Sequence, residues 1–367
     1  MTINHQMIRM SRPEPALGSR GCAVFVHEDS ANSKTNKPAW YLTTAKYRQT
    51  NLRKSLWQLL NTFVPYCVLW AAMIYTFQQG VPYWITLALA VVAGGILVRI
   101  FILFHDCCHG SFFASRRANV ILGYFTGVLT FTPFEHWRSA QSLHHAAAGD
   151  LDRRGVGAVW TMTTDEYLAA PRLKRLRYRI YRNPFVMFGP GPALVFLILH
   201  RFSSKGAGKR ERFSVAFTNF ALLFVAGVAT WTIGFQTYLL IQLPVILIAG
   251  SLGLWLFYIQ HQFESVYWAR RESWEPLSVA LEGSSYFKLP KILQWFSGNI
   301  GLHHIHHVRP SIPNYNLQRC HDEIPVFQTV KAITIRTSVR SLRLGLCDEK
   351  NKKLVSFRSL TAVDARN

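Results

Sequence analysis

The chain has 367 residues, half of them hydrophobic and only 16% charged, well under the roughly 25% of a soluble domain. A balance of 41 Lys and Arg against 19 Asp and Glu gives a net charge of +22; the cations lie between apolar runs without a nucleic-acid motif, which points to anionic headgroups and an acidic partner and excludes nucleic acid. Six cysteines (Cys22, Cys67, Cys107, Cys108, Cys320, Cys347) without paired spacing exclude a disulfide framework and a thiolate metal site.

In chain order, residues 1–40 read as a polar N-terminal segment, poorly ordered over 12–36 and without a signal peptide. Residues 41–325 read as a membrane domain and 326–367 as a basic C-terminal tail. Apolar runs at 56–77 and 82–104 each reach the roughly 20 residues a helix needs to cross a bilayer, and the uncharged stretch Gln78-Gln79-Gly80-Val81 joins them into a hairpin. A second hairpin is predicted from 213–232 and 238–259, again with an uncharged turn at 233–237. The runs at 120–134 and 185–199 are too short or too interrupted to span and are read as interfacial helices.

Charge sets the orientation. Arg48, Arg53 and Lys54 precede the first hairpin and Arg116 and Arg117 follow it; Arg201, Lys205, Lys209, Arg210 and Arg212 precede the second, and Arg270 and Arg271 follow it. With no cation in either turn, both hairpins enter from and return to the cytoplasm. The expected fold is therefore an all-α integral membrane protein: at least four transmembrane helices in two hairpins, interfacial helices, and a cytoplasmic histidine-rich metal-binding cap. Both termini are cytoplasmic, and the lack of a targeting segment suits a bacterial inner membrane. Arg99, inside the second run, reads as snorkelling to the headgroups or as pairing with Asp106.

Nine of the 14 histidines lie in four places. They are His105 and His109, then His144 and His145, then His261, then His303, His304, His306 and His307. The window 303–307 holds four where composition gives about 0.2. Spacing of four on a helix places His105 and His109 on one face; taken alone that pair serves a ligand role or a structural one equally well. Three imidazoles at His303, His306 and His307 have no packing rationale, because protonated neighbours repel. His261 follows a span at the same membrane face. Eight nitrogen donors exceed the need of one tetrahedral zinc and point to two ions, with iron suited to oxygen activation.

These residues resemble the membrane fatty-acid desaturase family, in its acyl-lipid, omega-6/delta-12-like branch. The stretch from His105 through Asp106-Cys107-Cys108 to His109 looks like its first histidine box, Trp137-Arg138 through His144-His145 and on to Gly155 like its second, Gln260-His261-Gln262 like the segment before the last, and His303 to His307 running on to Ile312-Pro313-Asn314-Tyr315 like the third. The resemblance covers about residues 40–325. It implies two iron ions held by His105, His109, His144, His145, His261, His303, His306 and His307, with molecular oxygen as co-substrate. It also implies membrane-lipid acyl chains as substrate and an external electron donor, ferredoxin or cytochrome b5-like, since no His-Pro-Gly-Gly haem signature is present. Asp106, Asp152 and His304 are candidates for orienting the imidazoles.

One departure bears on activity. The family's second box is His-x-x-His-His, and here the stretch is Gln141-Ser142-Leu143-His144-His145. Gln141 can offer a carbonyl oxygen to a metal or hold a metal-bound water, and His136 is a second candidate for the missing donor. A lipid hydroxylase, ketolase or acetylenase, or a desaturase relative that has lost turnover, uses the same residues. A zinc protease built on His105-Asp106-x-x-His109 is the remote alternative.

Overall fold

A computed structural model describes residues 37–155 and 157–364. The expectation of disorder over 12–36 lies outside the described residues, as does Cys22.

Among the described residues four helices are long and apolar enough to cross a membrane: α1 (Leu52–Gln78), α2 (Tyr83–Cys108), α6 (Lys209–Ile233) and α7 (Phe235–His261). Between the hairpins lie α3 (Arg116–Leu129), α4 (Phe134–Ala147), the strand β1 (Met162–Thr163), α5 (Arg172–Tyr181) and short helical pieces over 184–201. After the second hairpin come β2 (Tyr286–Phe287), α8 (Lys291–Phe296), α9 (His303–Val308), α10 (Asn314–Glu323), β3 (Ala332–Ile333), β4 (Leu344–Asp348) and β5 (Lys353–Ser356).

The spans run past the apolar residues that announce them. The Asn51 side chain accepts from the Lys54 amide and caps α1, so the helix starts four residues before the apolar run. α2 continues through His105 to Cys108 because its hydrogen-bond ladder does not end where apolarity does. The second turn shrinks to Gly234 at φ 88°, a conformation glycine adopts without strain. Each hairpin folds back at its far end, so the start of α1, the end of α2, the start of α6 and the end of α7 share one end of the bundle.

α2 is the central span: two thirds (67%) of its apolar window is buried, against 17% for α1 and α6. Small residues let it approach α7. A Cβ on Gly94 would stand 2.8 Å from Ile248 Cγ2, and Ala90, Ala93, Ile96 and Leu97 pack with Ile241, Val245, Ile246 and Ala249, the close contact that holds membrane helices together. α1 and α6 turn Trp57, Val64, Phe220, Leu223, Phe224 and Trp231 outward, side chains whose solvent is lipid. The protein is an integral membrane protein.

Arg99 neither reaches the headgroups nor pairs with Asp106. It is buried, donates to Thr62 Oγ1 (2.9 Å), Asn61 Oδ1 (3.3 Å) and the Trp295 carbonyl, and its guanidinium lies 4.3 Å from the Trp295 ring centroid. It thereby ties α8 to α2.

The chain is mostly helical, as expected, with two small sheets in addition. β4 pairs parallel with β1 (Met162 opposite Leu346) and antiparallel with β5, and β2 pairs parallel with β3 (Tyr286 opposite Ala332). The segment after 326 supplies three of these five strands, and its Leu346, Cys347 and Leu354 are buried.

Candidate metal centre

Four elements bring the predicted histidines together at one end of the bundle. α2 presents His105 on its last turn and His109 as its C-terminal cap, with ring centroids 4.7 Å apart. α4 carries Gln141, His144 and His145, α7 ends on His261, and α9 carries His303, His306 and His307. The approach to α9 is fixed by backbone that side chains would block. Gly298 has φ 51° and its Cβ would meet Ile102 Cγ2 at 2.9 Å, while a Cβ on Gly301 would clash with the Phe287 carbonyl of β2.

The imidazoles fall into two groups whose ligand atoms lie within 4.8 Å of one another. One is His144, His261, His303 and His307; the other is His105, His109 and His306. His145 stands between them, its Nε2 3.0 Å from His306 Nε2 and its ring centroid 4.3 Å from that of His307. His144 Nε2 lies 3.1 Å from His261 Nε2, which lies 3.0 Å from His303 Nε2. Two nitrogens each about 2.1 Å from one ion and a right angle apart stand about 3.0 Å from each other, so these spacings match donors converging on a metal.

Protonation supports the fit. His261 Nδ1 donates to the Gly283 carbonyl at 3.0 Å; its proton is therefore on Nδ1, and the bare Nε2 faces the other rings. Burial, and then the neighbouring imidazoles, hold His109, His144, His145, His303, His306 and His307 well below the ordinary histidine range. Neutral imidazoles are the form that binds metal.

Gln141 occupies the cluster as its place in the sequence requires. Its side-chain amide is buried, 3.3 Å from His145 Nε2 and 3.5 Å from His105 Nε2. The same pose with the amide turned over presents the carbonyl oxygen there. His136 does not enter: its Nδ1 pairs with Glu211 at 2.9 Å.

The three candidate orienting groups separate. Asp106 stands 3.5 Å from His105 Nδ1, and its Oδ2 accepts from both the backbone and side-chain nitrogens of Asn314 (2.7 and 2.8 Å). That carboxylate meets His105 only on its Nδ1 side and is held by Asn314, so the protease reading loses its free general base. Asp152 bonds the Arg270 guanidinium and the Arg271 amide, and no imidazole. His304 faces outward from the cluster onto Tyr286, His321 and Phe327. Asp150, which the sequence reading passed over, is fully buried, pairs with Arg153 and Arg271, and ties the chain after His145 to the chain after the second hairpin.

The fatty acid desaturase family profile matches residues 81–333. A fatty acid desaturase of Bacillus subtilis is 49% identical over 86% of this chain and 89% of its own. The sn-1 oleoyl-lipid 12-desaturase of Synechocystis is 24% identical over 63% of this chain and 66% of its own, and the same organism's sn-1 acyl-lipid omega-3 desaturase (ferredoxin) is 26% identical over 64% and 65%.

Proposed function

Because the chain belongs to the fatty acid desaturase family, a family of oxidoreductases, we propose that it desaturates membrane-lipid acyl chains with two iron ions held by its buried histidines. The observation that carries the reading is the convergence of two groups of imidazoles in one cluster. His144, His261, His303 and His307 would hold one ion; His105, His109, His306 and His145 would hold the other, with Gln141 beside it. Bound iron would supply the activation of molecular oxygen, which would take two hydrogens from adjacent methylenes, two electrons from a donor and two protons from solvent, and leave as two waters.

The chain's own residues do the rest. The Gly283 carbonyl fixes the His261 tautomer. Burial keeps His109, His144, His145, His303, His306 and His307 neutral, and Gln141, its amide turned over, would offer Oε1 to the second ion or its water in place of an imidazole. An acyl-lipid substrate is supported by the names of the Synechocystis relatives, which are distant. Ferredoxin as donor is supported by the omega-3 relative's name and by a charge of +22 that steers acidic partners. The cation-free turns support a cytoplasmic cluster, and the Bacillus relative supports a bacterial inner membrane.

The test is gas chromatography of lipid fatty acids from cells expressing the chain with a ferredoxin and its reductase, beside cells expressing His303→Ala. A new unsaturated species only with the unaltered chain is expected. A hydroxylated or keto product would move the reading to oxygen insertion. Lipids identical to those of His303→Ala, from protein that carries iron, would overturn it.

A further inference from the structure

Among the described residues α5 is the most basic helix, and it is built in two opposite halves. Its inner side is fixed to the protein: the buried Tyr178 hydroxyl accepts from the Met162 amide and donates to the Gly345 carbonyl. Just past the helix, Arg182 donates to Tyr258, Gln262 and the Leu344 carbonyl. Leu173, Leu176 and Ile180 recur at helical spacing on the side away from Tyr178, each at least half exposed. Arg172 and Arg177 border that stripe, Lys174 and Arg175 lie further round the helix, and among the described residues none of the four has a carboxylate partner. An outward apolar stripe between unpaired cations is not a solvated face.

The depth of the neighbouring chain says what covers it. Arg182 bonds α7 near its histidine end, at Tyr258 and Gln262. Six residues later the Phe188 carbonyl accepts from Ser251, and Pro192 and Phe196 lie against Gly250. Gly250 precedes His261 by eleven residues, about 16 Å further into the bilayer at 1.5 Å per residue. The chain thus dips into the hydrocarbon directly after α5, with Phe185 88% exposed on the way down. α5 itself stands at the level of the headgroups.

We propose that α5 is an interfacial anchor for anionic lipid, with Leu173, Leu176 and Ile180 set among the upper acyl chains and Arg172, Lys174, Arg175 and Arg177 binding headgroup phosphates. The arrangement is that of a surface helix with apolar and cationic faces, and it holds the strand pair β1–β4 and the end of α7 at a fixed height above the membrane.

The test places a spin label at Leu176→Cys, and separately at Lys174→Cys and Lys350→Cys, in the full chain carrying Cys22→Ser and Cys67→Ser. Each is reconstituted in bilayers of phosphatidylcholine alone and of phosphatidylcholine with phosphatidylglycerol. In the mixed bilayer the label at 176 should relax several-fold more with oxygen than with a water-soluble nickel chelate, and the label at Lys350, in the exposed β4–β5 turn, should show the reverse. Omitting phosphatidylglycerol, or changing the four cations to Gln, should raise nickel accessibility at 176 towards that at 174. The lipid exchange needs no altered cation, so misfolding of the four-Gln variant would leave the test intact. A label at 176 open to nickel in both bilayers would overturn the anchor. Protection indifferent to lipid charge would overturn the anionic preference, and protection appearing only with an added acidic protein would make α5 a protein-docking surface instead.

Discussion

Gln141 stands 3.3 Å from His145 Nε2, inside the histidine cluster and one helical turn before it. At that place its amide oxygen can do part of an imidazole's work, as a weaker donor. Gln141→Leu, which keeps the volume and removes the oxygen, should lower affinity for one of the two metal ions by about 10- to 100-fold and leave the other bound. Gln141→His should bind both at least as tightly as the unaltered chain. Competitive metal titration of the purified protein separates these outcomes; equal affinity in all three would remove Gln141 from the site.

His303 and His109 belong to different groups. Alanine at either should lower bound metal by about one ion and reduce acyl-chain desaturation at least about 100-fold, with thermal unfolding still cooperative. Loss of both ions from each single variant would show one coupled centre in place of two.

Much of this was legible beforehand, because a bilayer demands long apolar runs and a metal demands repeated donors. The four spans and the convergence of all eight histidines follow from those two demands. What stayed hidden depends on side-chain direction and on distant pairing. His304 sits among three histidines, yet faces Tyr286 and Phe327, because at about 100° per residue positions 303, 306 and 307 share one face of the helix and 304 falls outside it. Asp152 bonds Arg270 and Arg271 while Asp150, two residues earlier, is the buried one. The pairing of Met162–Thr163 with Leu346–Cys347 joins strands too short for periodicity to reveal.

Asp106 is where three elements meet. It accepts from Asn314, and Asn314 exchanges hydrogen bonds with Gln58 of α1 (2.6 and 3.2 Å). Hydrogen bonds to a buried charged group are worth about 1.5–3 kcal/mol each, so Asp106→Ala should destabilise the protein by about 3 kcal/mol or more. Thermal unfolding in detergent measures it. An unchanged midpoint would show that the junction does not hold these elements together.

Glu323 predicts the acid limb of stability. Lys46, the Tyr47 hydroxyl and Arg319 hold its carboxyl down at about 2, against an ordinary 4.5. The depressed value means that its contribution is full above about 4.5 and is lost as pH falls towards 2. Glu323→Gln should therefore lower the unfolding midpoint at neutral pH and lose less than the unaltered chain on acidification through that window. Parallel curves for the two proteins would contradict the assignment.

The proposed function requires that these histidines hold two irons. Metal analysis with X-ray absorption, on protein purified from membranes of iron-supplied cells, tests it most directly. Two iron ions per chain in a nitrogen-dominated shell is the predicted result. One zinc per chain, or no bound metal in protein that unfolds cooperatively, would contradict it.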